Sequence, residues 1–335
     1  MHITYFHRLP QDFHFSIEKL FNTIRESLPH GLTWTIQVCP YNSTGLINRI
    51  KNIKFANKNK GILNHITGDV HYIALGLPKN RTINTYHDFT FLKTNNFLKR
   101  AFLMFFWVQL PVKRSAIITV ISNTTKEELI KLTNCAEKKI RVIPNIISSA
   151  FNYSPRIFNS NVPEILQIGT TPNKNIERLC EALSDVRCRL HIVGKLSKGQ
   201  LKSLDYYKID YVNYVQIPEQ ELIQLYKTTD MLTFCSINEG FGMPILEAQA
   251  TGRPVVTSNL SSMPEVAGDA ACLVNPFDVE SIRSGILKIA NDSIYREDLI
   301  KKGLENVKRF NAKEVASMYN AIYSEIEIAM SNQHK

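Results

Sequence analysis

From Glu164 to Asp292 the chain keeps one rhythm: a short apolar run, a stretch with apolar residues at helical spacing, then another apolar run. "EILQIG" ends in Gly169, "NIERLCEAL" sets Ile176, Leu179, Cys180 and Leu183 on one helical face, and "RLHIVG" again ends in glycine. "EQELIQLYKTTD" reads as a helix with Glu219 and Glu221 in its first turn, and "MLTFCS" as a strand. "MPILEAQATG" is a helix opened by Pro244 and closed by Gly252, "PVVTS" a strand, and "DVESIRSGILKIAND" a helix. A tight hairpin cannot join parallel strands; a crossover helix can. The alternation therefore constrains this half to a parallel sheet covered by helices. Ligands of such sheets bind beyond the carboxyl ends of the strands.

The first half is less regular but similar in kind. "HITYFHR", "TWTIQVCP", "VHYIALG", "RTINTYHD", "AIITVIS" and "KIRVIPN" read as strands. "SIEKLFNTIRESL" is an amphipathic helix with Ser16 as its candidate cap, and "NTTKEELIKLT" a helix with a polar start. Ile147–Asn161 holds Ser, Asn and Pro without periodicity and reads as a linker. A chain of 335 residues exceeds a single compact core. The expectation is an α/β protein of two Rossmann-like, doubly wound domains facing across a cleft, residues 1–150 and 151–335. The last helix is free to pack back on the first domain.

The charge is uneven. Residues 1–155 hold 20 Lys+Arg against 8 Asp+Glu, and residues 156–335 hold 20 against 22. The first half therefore suits an anionic partner: a phospholipid surface, a pyrophosphate or a nucleic acid. No zinc-finger, RRM or helix-turn-helix signature accompanies it, which argues against nucleic acid. The six cysteines are scattered without a CxxC pair, as expected of buried thiols in a reducing compartment. "MHITYFHRLPQDF" lacks a basic region followed by an apolar core, so no signal peptide is expected. No apolar run approaches the roughly 18 residues of a membrane span. Together these features point to a cytoplasmic protein, with peripheral attachment to the inner face of the membrane as an option.

"NEGFGMPILEAQATGRPVV", from Asn238, carries the chemistry. Gly240 and Gly242 let the backbone turn tightly and approach a ligand. Pro244 suits the first turn of a helix, whose N-terminus offers free N–H groups and about half a positive charge to a phosphate. "GFGMPI", from Gly240 through Phe241, Gly242, Met243 and Pro244 to Ile245, can therefore cradle a pyrophosphate. Glu247, one turn inside the helix, can accept hydrogen bonds from a vicinal diol such as a ribose. Glu239, before the turn, can reach hydroxyls beyond the phosphates. Two acceptors bracketing an anion cradle suit a nucleotide-sugar.

The run EGFGMPILEA, TGRPVV, MPEVAGDAA and NPFD resembles the retaining glycosyltransferases of the large bacterial family 4, which have the GT-B fold. The resemblance extends upstream through "IGTTPNKNIERLCEAL", "HIVG" and "LIQLYKTTDMLTFCS", and more loosely through "NTYHD", "ITVISNTTKEEL" and "KIRVIPN". It implies that Glu247 binds the nucleotide ribose and Glu239 the donor-sugar hydroxyls. It implies that Lys174, beyond Gly169, binds the diphosphate, and that His87 of the first domain faces the donor sugar. Arg8, His14, Ser16 and Glu18 are candidates for the acceptor side. The chain departs from the family in three places. Thr170 stands where many members carry arginine, leaving Arg178 or another cation to substitute. "FHRLPQDFHFSIEKLF" replaces a glycine-rich loop. Ile146 replaces a glycine.

The implied reaction moves a hexose from a nucleotide diphosphate-sugar to a hydroxyl of a glycan acceptor, with retention, in assembly of a bacterial surface polysaccharide. The donor is a co-substrate; no cofactor and no metal are expected, since "TGD" and "GDA" are single acids, too sparse for a metal clamp. The acceptor is expected to be a lipid-linked sugar. Phe102–Val108, an apolar run flanked by Lys99, Arg100, Lys113 and Arg114, reads either as a buried helix or as an interfacial segment inserting Phe105, Phe106 and Trp107 into anionic lipid. A catalytically silent sugar-nucleotide or glycan binder and a transferase with a soluble acceptor are the alternatives. A dehydrogenase is disfavoured because no GxGxxG follows a strand.

Overall fold

The computed structural model describes residues 1–10 and 16–332. The strands in chain order are β1 (His2–His7), β2 (Thr33–Val38), β3 (Leu63–Ile66), β4 (Thr82–Tyr86), β5 (Ile117–Val120), β6 (Ile140–Val142), β7 (Glu164–Ile168), β8 (Arg189–Val193), β9 (Tyr211–Tyr214), β10 (Met231–Phe234), β11 (Val255–Ser258) and β12 (Cys272–Val274). The helices are α1 (Ser16–Glu26), α2 (Leu46–Lys58), α3 (Phe97–Leu103), α4 (Leu110–Lys113), α5 (Asn123–Thr133), α6 (Ile176–Ala182), α7 (Lys198–Tyr206), α8 (Glu219–Thr228), α9 (Met243–Ala250), α10 (Met263–Ala267), α11 (Val279–Asn291), α12 (Ser293–Asn306) and α13 (Ala312–Asn332).

The chain divides into two compact units, Met1–Ile146 with Ala312–Lys335, and Ile147–Asn311. Each is built on a six-stranded sheet, in the order β2-β1-β3-β4-β5-β6 in the first and β12-β11-β10-β7-β8-β9 in the second. Neighbouring strands pair in parallel throughout. The division falls after Ile146 rather than at 150, and α13 belongs to the first unit. The reason is the apolar stripe of α13. Val315, Ala316, Tyr319, Ile322, Tyr323 and Ile326 recur at helical spacing and are buried against Ile3, Tyr5, Phe21, Ile24, Leu63 and Ile83.

That interface also carries a polar thread. The Tyr323 hydroxyl lies 2.9 Å from the Tyr5 hydroxyl and 2.9 Å from His65 Nδ1. His65 Nε2 meets Thr85 Oγ1 at 2.8 Å, and Thr85 meets Thr119 at 2.6 Å. Burial drives the His65 pKa well below its ordinary value, so the ring is neutral and serves as a joint between strands.

One expectation is corrected, and of the two readings of the aromatic segment the buried helix holds for Trp107 and Val108. "VHYIALG" is not a strand. His71–Gly76 forms a 3-10 helix, and the strand of that region is β3, just before it. Val70, Tyr72, Ile73 and Ala74 are all buried, and a continuous apolar run has no period by which to tell strand from helix. Asp69, at φ 57°, turns the chain out of the sheet just ahead of it. The aromatic segment is helical with a π-turn over Met104–Gln109, but Trp107 and Val108 are buried in the core. The Trp107 indole donates to the carbonyl of Asp69 at 2.9 Å, and the Arg49 guanidinium lies 4.5 Å from its ring centroid. Trp107 is therefore a core anchor. The side chains turned outward are Phe97 (79% exposed), Leu98 (78%) and, less so, Phe105.

Tyr323→Phe keeps the packing of α13 but strands Tyr5 and His65 without their shared partner. Equilibrium denaturation is expected to show a loss of about 1–3 kcal/mol. An unchanged midpoint would mean that the thread does not hold α13.

Candidate functional site

In the second unit the chain runs from β7 outward to β8 and β9, returns to the far side of β7 as β10, and continues to β11 and β12. The direction reverses between β7 and β10, which opens a crevice at their carboxyl ends. The two segments bearing the candidate residues leave the sheet there. Gly169 follows β7 with φ 86°, and a Cβ on it would fall 2.7 Å from Lys174 Cε. The lysine stem lies flat against this glycine. Lys174 Nζ reaches Glu239 Oε1 at 2.8 Å and sits 4.3 Å from the Phe234 ring centroid. Asn173 Nδ2 donates to the same Glu239 oxygen and to the carbonyl of Asn238, both at 3.0 Å. Asn175, left-handed at φ 62°, donates to the carbonyls of Cys235 (3.2 Å) and Pro276 (2.6 Å). The loop after β7 is thus stitched to the loop after β10.

The loop from Glu239 to Gly242 is held from behind. Ser261 Oγ and Ser262 Oγ donate to the Glu239 carbonyl at 2.7 and 3.0 Å, and Ser262 Oγ also lies 2.7 Å from the Phe241 carbonyl. Phe241 is buried, edge-on to Phe310 at 5.8 Å. Gly240 completes the turn, and Gly242, at φ 115°, opens α9 in a conformation that a side chain would strain. Met243 and Pro244 form the half-buried first turn, and Ile245 anchors it in the core. The N-terminus of α9 therefore stands at the crevice beside Lys174 and Glu239.

Glu247 is half-buried one turn into α9. The Tyr226 hydroxyl, from α8, donates to its Oε2 at 2.7 Å. Burial raises the Glu247 pKa to about 7; Glu219 adds to the rise, while the Tyr226 hydrogen bond and Lys174 oppose it.

The first unit has its own reversal, between β1 and β3. Arg8 follows β1, with its Nε 3.0 Å from Glu18 Oε1 and its guanidinium also paired with Asp69 after β3. Glu18 Oε2 is buried without a hydrogen-bond partner among the described residues. His87, after β4, donates through Nε2 to the Thr67 carbonyl at 2.8 Å, which leaves Nδ1 as an acceptor. Burial lowers its pKa, and the Thr67 carbonyl, Asp69 and Asp88 oppose that fall. Gly68 makes room for the ring: a Cβ there would lie 2.9 Å from His87 Cδ2. His14 and the side chain of Ser16 lie outside the described residues.

Several contributors carry no sequence signal of their own. Tyr226 comes from a different helix, Asp69 from a turn, and Ser261–Ser262 from the loop after β11. Arg178 is held against the loop after β7. It donates to Asn175 Oδ1 at 2.9 Å and covers Phe277, so it braces the loop. Lys195 is the cation that follows β8, and its carbonyl accepts from Thr170 Oγ1 at 2.8 Å. Among the described residues no group of three or more His, Cys, Asp or Glu gathers as metal ligands.

Glu247→Gln tests the electrostatics of the site. The folded-state pKa lies above the unfolded value near 4.5, so ionisation destabilises the fold progressively as pH rises from that value through about 7. The variant is expected to melt higher than the parent at pH 8 and equally at pH 4.5. A pH-independent difference would refute the buried carboxylate.

Residues 162–292 match the profile described as "Glycosyl transferases group 1", and residues 26–151 match that of "Glycosyltransferase Family 4". The chain is 28% identical over 258 residues to O-antigen chain mannosyltransferase B of Escherichia coli, covering 69% of this chain and 67% of that protein. It is 28% identical over 276 residues to O-antigen chain mannosyltransferase RfbU of Salmonella typhimurium, covering 80% and 73%. Among solved structures, sucrose-phosphate synthase from Thermosynechococcus elongatus superposes with a TM-score of 0.76 at 16% identity, over 98% of this chain and 99% of that one. That likeness carries the GT-B fold, whose two doubly wound sheets this chain reproduces. With both halves matched by these profiles, the chain belongs to glycosyltransferase family 4 and is a glycosyltransferase.

Proposed function

We propose that this enzyme transfers a hexose, with mannose the first to test, from a nucleoside diphosphate-sugar to a glycan hydroxyl in the assembly of a bacterial surface polysaccharide. The observation that carries the donor assignment is the Lys174–Glu239 pair beside the N-terminus of α9, with Glu247 one turn further in. Cation and helix end suit the diphosphate, and the carboxylates suit hydroxyls on either side of it. The O-antigen mannosyltransferases to which the chain is similar support the choice of sugar and pathway.

In this reading Lys174 turns from Glu239 to the phosphates, and Glu239 turns to the sugar hydroxyls. Glu247 Oε1 takes the ribose diol while Tyr226 keeps Oε2 in place. Phe241, Gly242 and Met243 present backbone N–H groups to the leaving diphosphate, while Gly240 completes the turn, and Pro244, which has no N–H, and Ile245, whose N–H goes to the Gly242 carbonyl, shape the first turn of α9. These fixed donors stabilise its developing charge without a metal, because they are already oriented when the bond to the sugar breaks. Transfer proceeds with retention, and the departing phosphate takes the acceptor proton. We assign the edge of the first unit around Arg8, Glu18 and His87 to the acceptor and to the sugar being moved. The unpartnered Glu18 Oε2 suits an acceptor hydroxyl, and the His87 Nδ1 lone pair suits a sugar hydroxyl.

The acceptor is lipid-linked in this proposal, and the enzyme works at the inner face of the membrane. No described helix is long and apolar enough to cross a bilayer. Phe97 and Leu98, followed by Lys99 and Arg100, form an apolar tip with basic flanks suited to anionic headgroups. Phe97→Asp with Leu98→Asp is expected to abolish sedimentation with phosphatidylglycerol vesicles at low salt and to leave transfer to a soluble acceptor analogue intact. Parent protein that stays in the supernatant would refute the membrane assignment.

The donor assignment is tested by thermal shift with GDP, UDP, dTDP, CMP and NAD. One nucleoside diphosphate at a hundred times its Kd should add about 2.7 kcal/mol. Lys174→Ala should erase most of that gain and lower kcat/KM roughly ten- to a hundredfold, the worth of one charge-assisted contact. A shift with NAD alone, or full stabilisation of Lys174→Ala, would overturn the reading.

A further inference from the structure

Among the described residues no strand pairs with the outer edge of β2. β2 pairs on one side with β1, in register from His2 opposite Thr33 to His7 opposite Val38, and ends its sheet on the other. Thr33 N donates to Met1 O and Cys39 N to His7 O, so the odd-numbered positions turn their backbone groups towards β1. By the alternation of a ladder, Trp34, Ile36 and Val38 point their N–H and C=O groups outward. The same three residues carry apolar side chains on one face, opposite Ile3, Tyr5 and His7, and are 39%, 43% and 41% exposed. On the other face the Thr33 and Thr35 hydroxyls are both taken up by His2 at 2.8 Å. Edge strands that must stay single are blunted by lysine, proline or a bulge. β2 has none of these, and its register with β1 is unbroken.

We propose that β2 is the edge through which two copies of this chain pair, antiparallel, about a two-fold axis at Ile36. This register sets Ile36 against Ile36 and Trp34 against Val38 twice, with all three residues in hydrogen-bonded positions. Every outward N–H and C=O of the strand finds a partner, and the six side chains form one apolar strip across the axis. Aromatic against β-branched residues is a favoured cross-strand combination.

Charge identifies the occupant as a second copy. Ser27–Asn48, 22 residues, contains no Lys, Arg, Asp or Glu, although the first half carries a large excess of positive charge. Two basic copies repel over most of that surface and can meet side by side only along such a neutral span. A partner recognised by charge would find nothing on β2 to read. Three side chains and one strand per copy bury less than the roughly 800 Å² per partner of a standard stable interface. The association is therefore expected to be concentration-dependent, in the micromolar range.

Sedimentation velocity of the full chain from about 1 to 100 µM, a range centred on micromolar affinity, should show a monomer–dimer equilibrium. Ile36→Lys places two like charges directly opposite and should leave only monomer, with an unchanged melting temperature because the side chain is exposed in the monomer. Ile157→Lys, at a 96% exposed site in the second unit, should dimerise as the parent does. Ile36→Cys under mild oxidation should give a covalent dimer, since the ~5.5 Å Cα separation of a hydrogen-bonded antiparallel pair lies within disulfide range. Ile47→Cys, 69% exposed on α2, should not. A monomer at every concentration, a dimer that survives Ile36→Lys, or equal crosslinking at positions 36 and 47 would each overturn the proposal.

Discussion

The contact between Lys174 and Glu239 is where the second unit's topology becomes chemistry. One residue follows β7 and the other β10, the two strands between which the chain reverses direction. Their 2.8 Å pairing, with Asn173 on the same carboxylate, holds two loops distant in sequence at one place. It also leaves a cation and an anion mutually satisfied. The surrounding features serve that pair. Gly169 lets the lysine stem pass, Phe234 lies beneath its ammonium, and Ser261 and Ser262 hold the glutamate's backbone.

Glu247 shows what such a site costs the fold. A carboxylate drawn out of water is less stable ionised, and its pKa rises accordingly although the Tyr226 hydrogen bond opposes the rise. A residue chosen for stability alone would be neutral there. That a charged group persists one turn into α9 agrees with a ligand that needs a strong acceptor. Stability is commonly given up at functional positions in this way.

The first unit repeats the plan with different chemistry. Its reversal between β1 and β3 gathers an arginine, two carboxylates and a largely neutral histidine rather than a cation beside a helix end. Its core depends on a helix from the far end of the chain. α13 supplies Tyr319, Tyr323 and Ile326, without which the face of β1 and β3 that bears Tyr5 and His65 would lack its cover. The polar thread through Tyr323 gives that cover one register, because each buried hydroxyl and ring nitrogen must find its partner.

Much of the second unit was legible in the sequence. β7, β8, β10 and β11 and the helices α6, α8, α9 and α11 fall where apolar period and glycine punctuation put them, because in a parallel sheet each strand must end before its crossover helix begins. β3, β9 and β12 were not legible, although β10 and β11 are no longer than β3 and β9: Asn64 and Asn213, poor strand formers, sit inside β3 and β9, and β12 is a run of only three residues. "VHYIALG" was misread because complete burial erases the pattern that separates a strand from a helix. Local composition allows Phe102–Val108 either a buried helix or a lipid surface, and Trp107 is buried through Asp69 and Arg49, which come from segments that sequence proximity does not reveal. The sequence by itself determined the class of fold, the glycine turn from Gly240 into α9 and the acidic residues bracketing it, since these follow from local backbone and side-chain chemistry. Only the tertiary structure decided that Lys174 meets Glu239, that Tyr226 meets Glu247, that α13 closes the first unit and that β2 stands open, because each depends on which strands lie side by side.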